Sequence, residues 1–399
     1  MTFDKFHSRQ DEGSIKWTLM KNAHPQVSEG VIPMTVADME FKTCPQIVDG
    51  LKAYIESAIL GYTIPNDTYT GAIVDHYKSE YDVTIDKKDI VTSSGVVTSL
   101  FDCINAFTKP GDGVVVMTPV YPQFYRAIND TNRTVIKSSL LFEGDKYQID
   151  FEDLEEKLKE ESNVMLILCN PHNPSGRVWS RQDIERIKML CRDNDVYLVA
   201  DEIHGDLTMF ANKLTSIFAF DSSYDDFNKK EIVLSSASKS FNLAGLKCSN
   251  VIIRDRDLRK EFLAYIATTS SFGANMVGLK ATELAYTEGI GWLRDVIKYI
   301  EGNLNYIKDF FESYVGLFKV YDIQATYLAW INFKSFADKH NMSHEDFMNL
   351  LNKAEFFVNP GHDFGEEGNF HFRVNVAMPR HKLAEALDRL KIVLDNMEK

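Results

Sequence analysis

Val114-Val115-Val116-Met117, Asn163 to Cys169, Val196-Tyr197-Leu198-Val199-Ala200 and Glu231-Ile232-Val233-Leu234 are short, mainly apolar runs that break off into small and polar residues. Runs of this length bounded by turn signals read as buried strands. The stretches between them place apolar residues three and four apart, as in Val97, Leu100, Phe101, Ile104 and Phe107, or Ile184, Ile187 and Leu190 after a capping Ser180, and so read as amphipathic helices. Strands alternating with helices imply right-handed crossovers and a mostly parallel central sheet flanked by helices, an α/β fold. In open sheets of this kind, ligand chemistry collects outside the carboxyl ends of the strands.

The chain is longer than one core usually organises. After about residue 285 its texture changes, with a long helical stretch through Trp292, Val296, Ile300 and Leu304, strand-like segments at Tyr327–Phe333 and Phe370–Ala377, and a last helix through Leu383, Leu387, Leu390 and Val393. We expect a large ligand-binding domain over 46–285, and a smaller α+β domain from 1–45 together with 286–399. Within the N-terminal part, Ile32 to Phe41 alternates well enough to suggest a short strand, and Pro45 opens an amphipathic helix.

Fifty-eight acidic against forty-four basic residues give a formal charge of −14, which argues against nucleic acid and anionic membrane surfaces as partners. The N-terminus lacks the apolar core of a signal peptide, and no apolar run approaches the ~20 residues that span a bilayer. Five scattered cysteines without a C-x-x-C pattern fit a reduced cytoplasmic setting. No metal site is expected, because H-E-x-x-H is absent and His172 and His204 lack companions at ligand spacing.

The strand ends carry the chemistry. Gly95 and Val96 form a tight turn into a helix N-terminus, whose free amides and dipole suit a phosphate. Tyr121 lies between Pro119 and Pro122, which fixes its backbone and so the approach of a flat ring. Asn173 lies in the loop after the strand ending at Cys169, and Asp201 and His204 follow the next strand directly. Lys239 is the one cation in the small-residue run Ser235 to Leu246. An amine desolvated there has a lowered pKa and condenses with a carbonyl. Arg373 offers the two-pronged donor that fits an α-carboxylate. Singly, each has an ordinary packing or solvated reading; together they are what pyridoxal phosphate chemistry on an amino acid requires.

Over essentially its whole length the sequence resembles the fold type I pyridoxal-phosphate enzymes of the class I/II aminotransferase superfamily, and within them the MalY/PatB branch of cystathionine β-lyases. The resemblance rests on Val36-Ala37-Asp38-Met39-Glu40-Phe41, Gly61-Tyr62 with Pro65, Asn170-Pro171-His172-Asn173-Pro174-Ser175-Gly176-Arg177, Asp201-Glu202-Ile203-His204, Ser238-Lys239 with Phe241 to Leu246, and Arg373-Val374-Asn375. It implies a pyridoxal-phosphate transferase-like fold with pyridoxal 5'-phosphate carried on Lys239, its ring nitrogen held by Asp201 and its ring hydroxyl by Asn173. Tyr121 stacks on the ring, and His204 lies beside the cofactor. Gly95, Val96, Ser236 and Ser238 hold the phosphate, joined by Tyr62 from the second subunit of a homodimer whose active site is shared. Arg373, with Asn173 and Ala37, takes the substrate. The implied reaction is β-elimination from a sulfur amino acid such as cystathionine or cysteine, giving pyruvate, ammonia and a thiol. An aminotransferase, or a cofactor-binding regulatory protein with a partner, are the other readings. Three positions depart from the wider pattern: His204 where general aminotransferases have a tyrosine, which is normal for the lyase branch, Lys247 where many relatives have a phosphate-binding arginine, and Thr35 where the branch has tryptophan.

Overall fold

A computed structural model of the chain describes residues 3–143, 146–220, 229–269 and 273–398. Thirteen strands are described. Seven of them, β1 (Ile90–Ser93), β2 (Gly113–Thr118), β3 (Thr134–Ser139), β6 (Asn163–Cys169), β7 (Tyr197–Asp201), β8 (Glu231–Ser235) and β9 (Ser249–Ile252), form one sheet in the order β1-β9-β8-β7-β6-β2-β3. From β3 to β8 every pair is parallel, while β9 runs antiparallel to both of its neighbours. A short hairpin, β4 (Leu141–Glu143) and β5 (Lys146–Gln148), stands apart from it.

The continuous apolar runs follow from a sheet covered on both faces. Side chains alternate, so neighbours in one strand enter different cores: Val115, Leu166, Leu198 and Val233 on one side, Val114, Val116, Ile167, Val199, Ile232 and Leu234 on the other. The second face is closed by helices Val96–Phe107, Pro122–Asp130 and Arg256–Thr269, through Leu100, Ile104, Phe124, Ile128 and Phe262. The first is closed by helices that include Asp67–Tyr81, Phe151–Lys159 and Arg181–Asp193. The last of these starts at Ser180 in a capping box with Asp183, as the sequence predicts.

A second, antiparallel sheet has the order β10-β11-β13-β12, from β10 (Lys319–Val320), β11 (Leu328–Asn332), β12 (Asn359–Pro360) and β13 (His371–Asn375). It shares the first core with the 23-residue helix Ile290–Glu312 and the C-terminal helix Arg380–Met397. No helix among the described residues is long and apolar enough to cross a membrane.

The stretch 32–41 is not a strand. It lies extended against the small sheet through separate bonds, Met34 N–H to Phe357 O (2.9 Å), Asn375 N–H to Met34 O (2.9 Å) and Glu40 N–H to Ala377 O (2.8 Å). Val36 breaks any ladder, because its φ of 45° is a left-handed conformation that a β-branched side chain adopts only under constraint. Alternation here marks burial, with Ile32, Met34, Met39 and Phe41 all in the core.

Candidate active site

The carboxyl ends of β2, β6, β7 and β8 converge on a cavity of about 390 Å³, closed from the small-sheet side by Asn359, Asp363, Phe364 and Arg373 and from a third side by Val36 and Ala37. Lys239, Asp201, Asn173, Tyr121, His204, Gly95, Val96, Ser238, Arg373 and Ala37 all line it. Two of the residues expected here do not. Ser236 is buried beneath, its hydroxyl donating to Cys248 O (2.6 Å) and accepting from Ser238 N–H (3.0 Å) as the cap of the short helix Ala237–Ser240. Tyr62 lies on an extended stretch and is wholly exposed.

Lys239 occupies that short helix, which is anchored from below. Ser240 Oγ donates to Asp206 (2.7 Å), and the same buried carboxylate bonds His76 Nε2 (2.7 Å) and the Tyr81 hydroxyl. Lys239 Nζ donates to the carbonyl of Ala37 at 2.7 Å. Burial drives its pKa down to about 8, with Arg373 and Lys247 pushing the same way against Asp38 and Asp201.

The loop carrying Ala37 is fixed on both flanks by side-chain amides. Asn375 Nδ2 donates to Val36 O and Asp38 O, each at 2.7 Å. Asn242, just beyond Lys239, accepts from Met39 N–H (2.9 Å) and donates to Met39 O (3.0 Å). Beneath it Lys16, 1% exposed, pairs with Asp38 (3.0 Å) and Glu40 (2.8 Å).

Asp201 ends β7 at the cavity floor. Its carboxylate accepts from Ile203 N–H (3.1 Å), and burial lifts it to about 7 although Lys239 pulls the other way. Beside it His204 is held neutral, its pKa brought down to about 3 by burial first and by Lys239 and Arg373 in the same direction; its Nδ1 is buried without a hydrogen-bond partner. Arg373 projects from the middle of β13. Its two terminal nitrogens donate to Asn173 Oδ1 and Asn359 Oδ1, both at 2.9 Å, the guanidinium lies 4.7 Å over Phe364, and Nε is buried and unpartnered. Burial brings its pKa down to about 10.

Opposite, Gly95 caps helix Val96–Phe107 without a side-chain bond. Its φ of 152° demands glycine although nothing lies within 4 Å of where a Cβ would stand. Gly95, Val96, Val97 and Thr98 set the N-terminus of this helix on the cavity wall, which Ser238 and Lys247 also line. An anion-binding turn, a flat aromatic at Tyr121, a buried carboxyl short of a cation and an amine of lowered pKa fit a phosphorylated pyridine aldehyde. Asn359, Asp363 and Phe364, which sequence reading did not single out, sit in the two-residue strand β12 and the 3-10 turn after it, elements too short for any periodicity to reveal.

Residues 29–390 match the family model for class I and II aminotransferases. The chain belongs to this family. Cystathionine β-lyase PatB of Bacillus subtilis is 36% identical over 395 residues, 99% of this chain and all of that one. Among solved structures, the pyridoxal 5'-phosphate-containing cystalysin of Treponema denticola superposes with a TM-score of 0.95 at 37% identity, covering 99% of both chains. The PLP-bound C-S lyase of Staphylococcus hominis gives 0.89 at 28% identity, covering 99% of this chain and 98% of that one. These family members share the fold type I architecture found here, a mostly parallel sheet with flanking helices.

Proposed function

We propose that Lys239, Asp201 and Arg373 carry out β-elimination on a sulfur amino acid. The chain is a pyridoxal-phosphate-dependent carbon–sulfur lyase of the cystathionine β-lyase kind. Bound pyridoxal phosphate supplies a carbonyl for amines and a protonated ring that draws electrons away from the substrate α-carbon. The Gly95–Val96 amides, Ser238 and Lys247 would hold its phosphate, Tyr121 its ring face and Asn173 its hydroxyl. Asp201, buried and short of a cation, would keep the ring nitrogen protonated.

Arg373 orients the substrate: its free Nε and the edge toward the cavity receive the α-carboxylate, and Asn173 and Asn359 hold the guanidinium plane. Lys239 Nζ, an available base near neutral pH, takes the α-proton. The β-carbon–sulfur bond then breaks with its electron pair on sulfur, and the ammonium of Lys239 returns a proton to the thiolate. The remaining three-carbon unit takes up water to give pyruvate and ammonia, so thioether plus water balance thiol, pyruvate and ammonium. The observation that carries this reading is the meeting of an amine lowered to about 8, a buried carboxyl raised to about 7 and an arginine with a free Nε in one cavity.

Ile59 (91% exposed), Leu60, Tyr62 and Ile64 (82%) form an exposed apolar run. It supports a homodimer, which we place in the cytoplasm, in which Tyr62 reaches the partner's site; light scattering on the purified protein measures that state. The division into 46–285 and 1–45 with 286–399 is proposed as the unit structure of each subunit. Incubation with cystathionine should release pyruvate and thiol in equal amounts, and Lys239→Ala should lower that rate on the order of 10³-fold. Amino transfer to an added keto acid, without pyruvate or thiol, would instead make it an aminotransferase.

A further inference from the structure

Two acids line the cavity, Asp201 and Asp363. Asp201 lies buried on the floor, whereas Asp363 stands on the wall with its side chain 45% exposed. The backbone beneath Asp363 is fixed. It lies in the 3-10 turn Gly361–Phe364, where Phe364 O accepts from both Val120 N–H and the Tyr125 hydroxyl at 2.9 Å. A Cβ on Gly361 would stand 2.1 Å from Gly368 O and 2.5 Å from His371 O, so the turn is wedged against its neighbours.

Despite that rigidity, the carboxylate is not consumed by the protein. Among the described residues its one ion-pair partner is His362 Nε2, at 3.6 Å and itself half exposed. Burial raises its pKa while His362 and Arg373 pull it down, and both terminal nitrogens of the Arg373 guanidinium are committed to Asn173 and Asn359. A carboxylate with free lone pairs, preset on the wall beside the arginine that takes the α-carboxylate, repels an anionic substituent on the substrate and attracts a cationic one.

We propose that Asp363 is a specificity-determining residue, accepting hydrogen bonds from a primary ammonium group carried on the departing thiol a few bonds beyond sulfur. The inference rests on the β-elimination reading, and the test separates the two. S-(2-aminoethyl)-L-cysteine and S-propyl-L-cysteine have nearly the same length and differ in ammonium against methyl. In the wild-type holoenzyme, kcat/KM by pyruvate release should favour the amine. In Asp363→Asn the ratio of the two should fall by roughly three- to tenfold, the range between an exposed ion pair and a charge-assisted bond, and Asp363→Glu should restore part of it. A ratio left unchanged, with both substrates slowed alike, would make Asp363 merely structural and overturn the proposal.

L-lysine and L-2-aminoheptanoate, the corresponding pair with carbon in place of sulfur, repeat the comparison by calorimetric binding to the holoenzyme. If neither thioether yields pyruvate, the lyase reading fails. The binding ratio of the carbon pair still decides Asp363: a fall in Asp363→Asn supports it, and an unchanged ratio refutes it.

Discussion

Lys239 should titrate in the cofactor-free protein as an amine with a pKa of about 8, and its acylation by trace acetic anhydride should show this directly. For that value the free-base fraction rises about fivefold between pH 7 and 8 and then levels off, gaining only about a tenth between pH 9 and 10. An ordinary lysine near 10.4 would gain roughly sevenfold over that last interval. The cavity wall gives the reagent a path to Nζ, and the Lys239 peptide is quantified by mass spectrometry against N-acetyl-lysine amide in the same tube. The cause is loss of hydration, aided by Arg373 and Lys247 and resisted by Asp38 and Asp201. Asp38→Asn should therefore move the midpoint lower still. Labelling of Lys239 that continues to climb severalfold from pH 9 to 10 would show the amine to be fully hydrated, and would remove the reason for treating it as a base near neutrality.

Replacing Lys16 by Met should cost about 3–5 kcal/mol in denaturant unfolding, because the buried Glu40 and half-buried Asp38 lose a cation and keep only Arg9; a loss under about 1 kcal/mol would contradict the pairing. Asp201 has its pKa raised in the fold to about 7, so the stability it contributes is present below its unfolded value near 4 and is lost as pH rises through 7. Asp201→Asn apoprotein should accordingly be about 2–4 kcal/mol more stable than wild type at pH 8 and differ little at pH 4, by thermal melts at both. Gly361→Ala should lower stability by about 1–3 kcal/mol through the backbone clash at Gly368 O, and should raise KM as Asp363 and Phe364 are displaced; unchanged melting would show that the turn yields freely.

The parallel strands β2, β6, β7 and β8 were legible because burial on both faces leaves mainly apolar residues, and the strand-end residues because small and polar types interrupt those runs; the edge strand β3 (Thr134–Ser139), exposed at three of its six positions, was not. β9 escaped notice: Ser249 and Asn250 make half of its four residues polar although all four are buried, so neither alternation nor a run is visible. The stretch 32–41 gave a strand-like pattern without a strand, since its backbone bonds go singly to Phe357, Asn375 and Ala377. The support beneath Lys239 joins Asp206 to His76 and Tyr81, each more than a hundred residues away in sequence, and a buried charge looks in sequence like a solvated one. Tyr62 was placed from family likeness, and nothing within one chain touches it in a way that spacing could have foretold.

The amides of Asn375 and Asn242 have a consequence for how the enzyme behaves across conditions. Neither group ionises in water, and neither sets up a field for dissolved ions to screen. These amide bonds to the strap carrying Ala37 are thus indifferent to acidity and salt, and of its anchorage only the ion pairs of Lys16 and Arg9 with Asp38 and Glu40 answer to either. Catalytic rate should follow the titration of the reacting groups, while those amide bonds stay as they are.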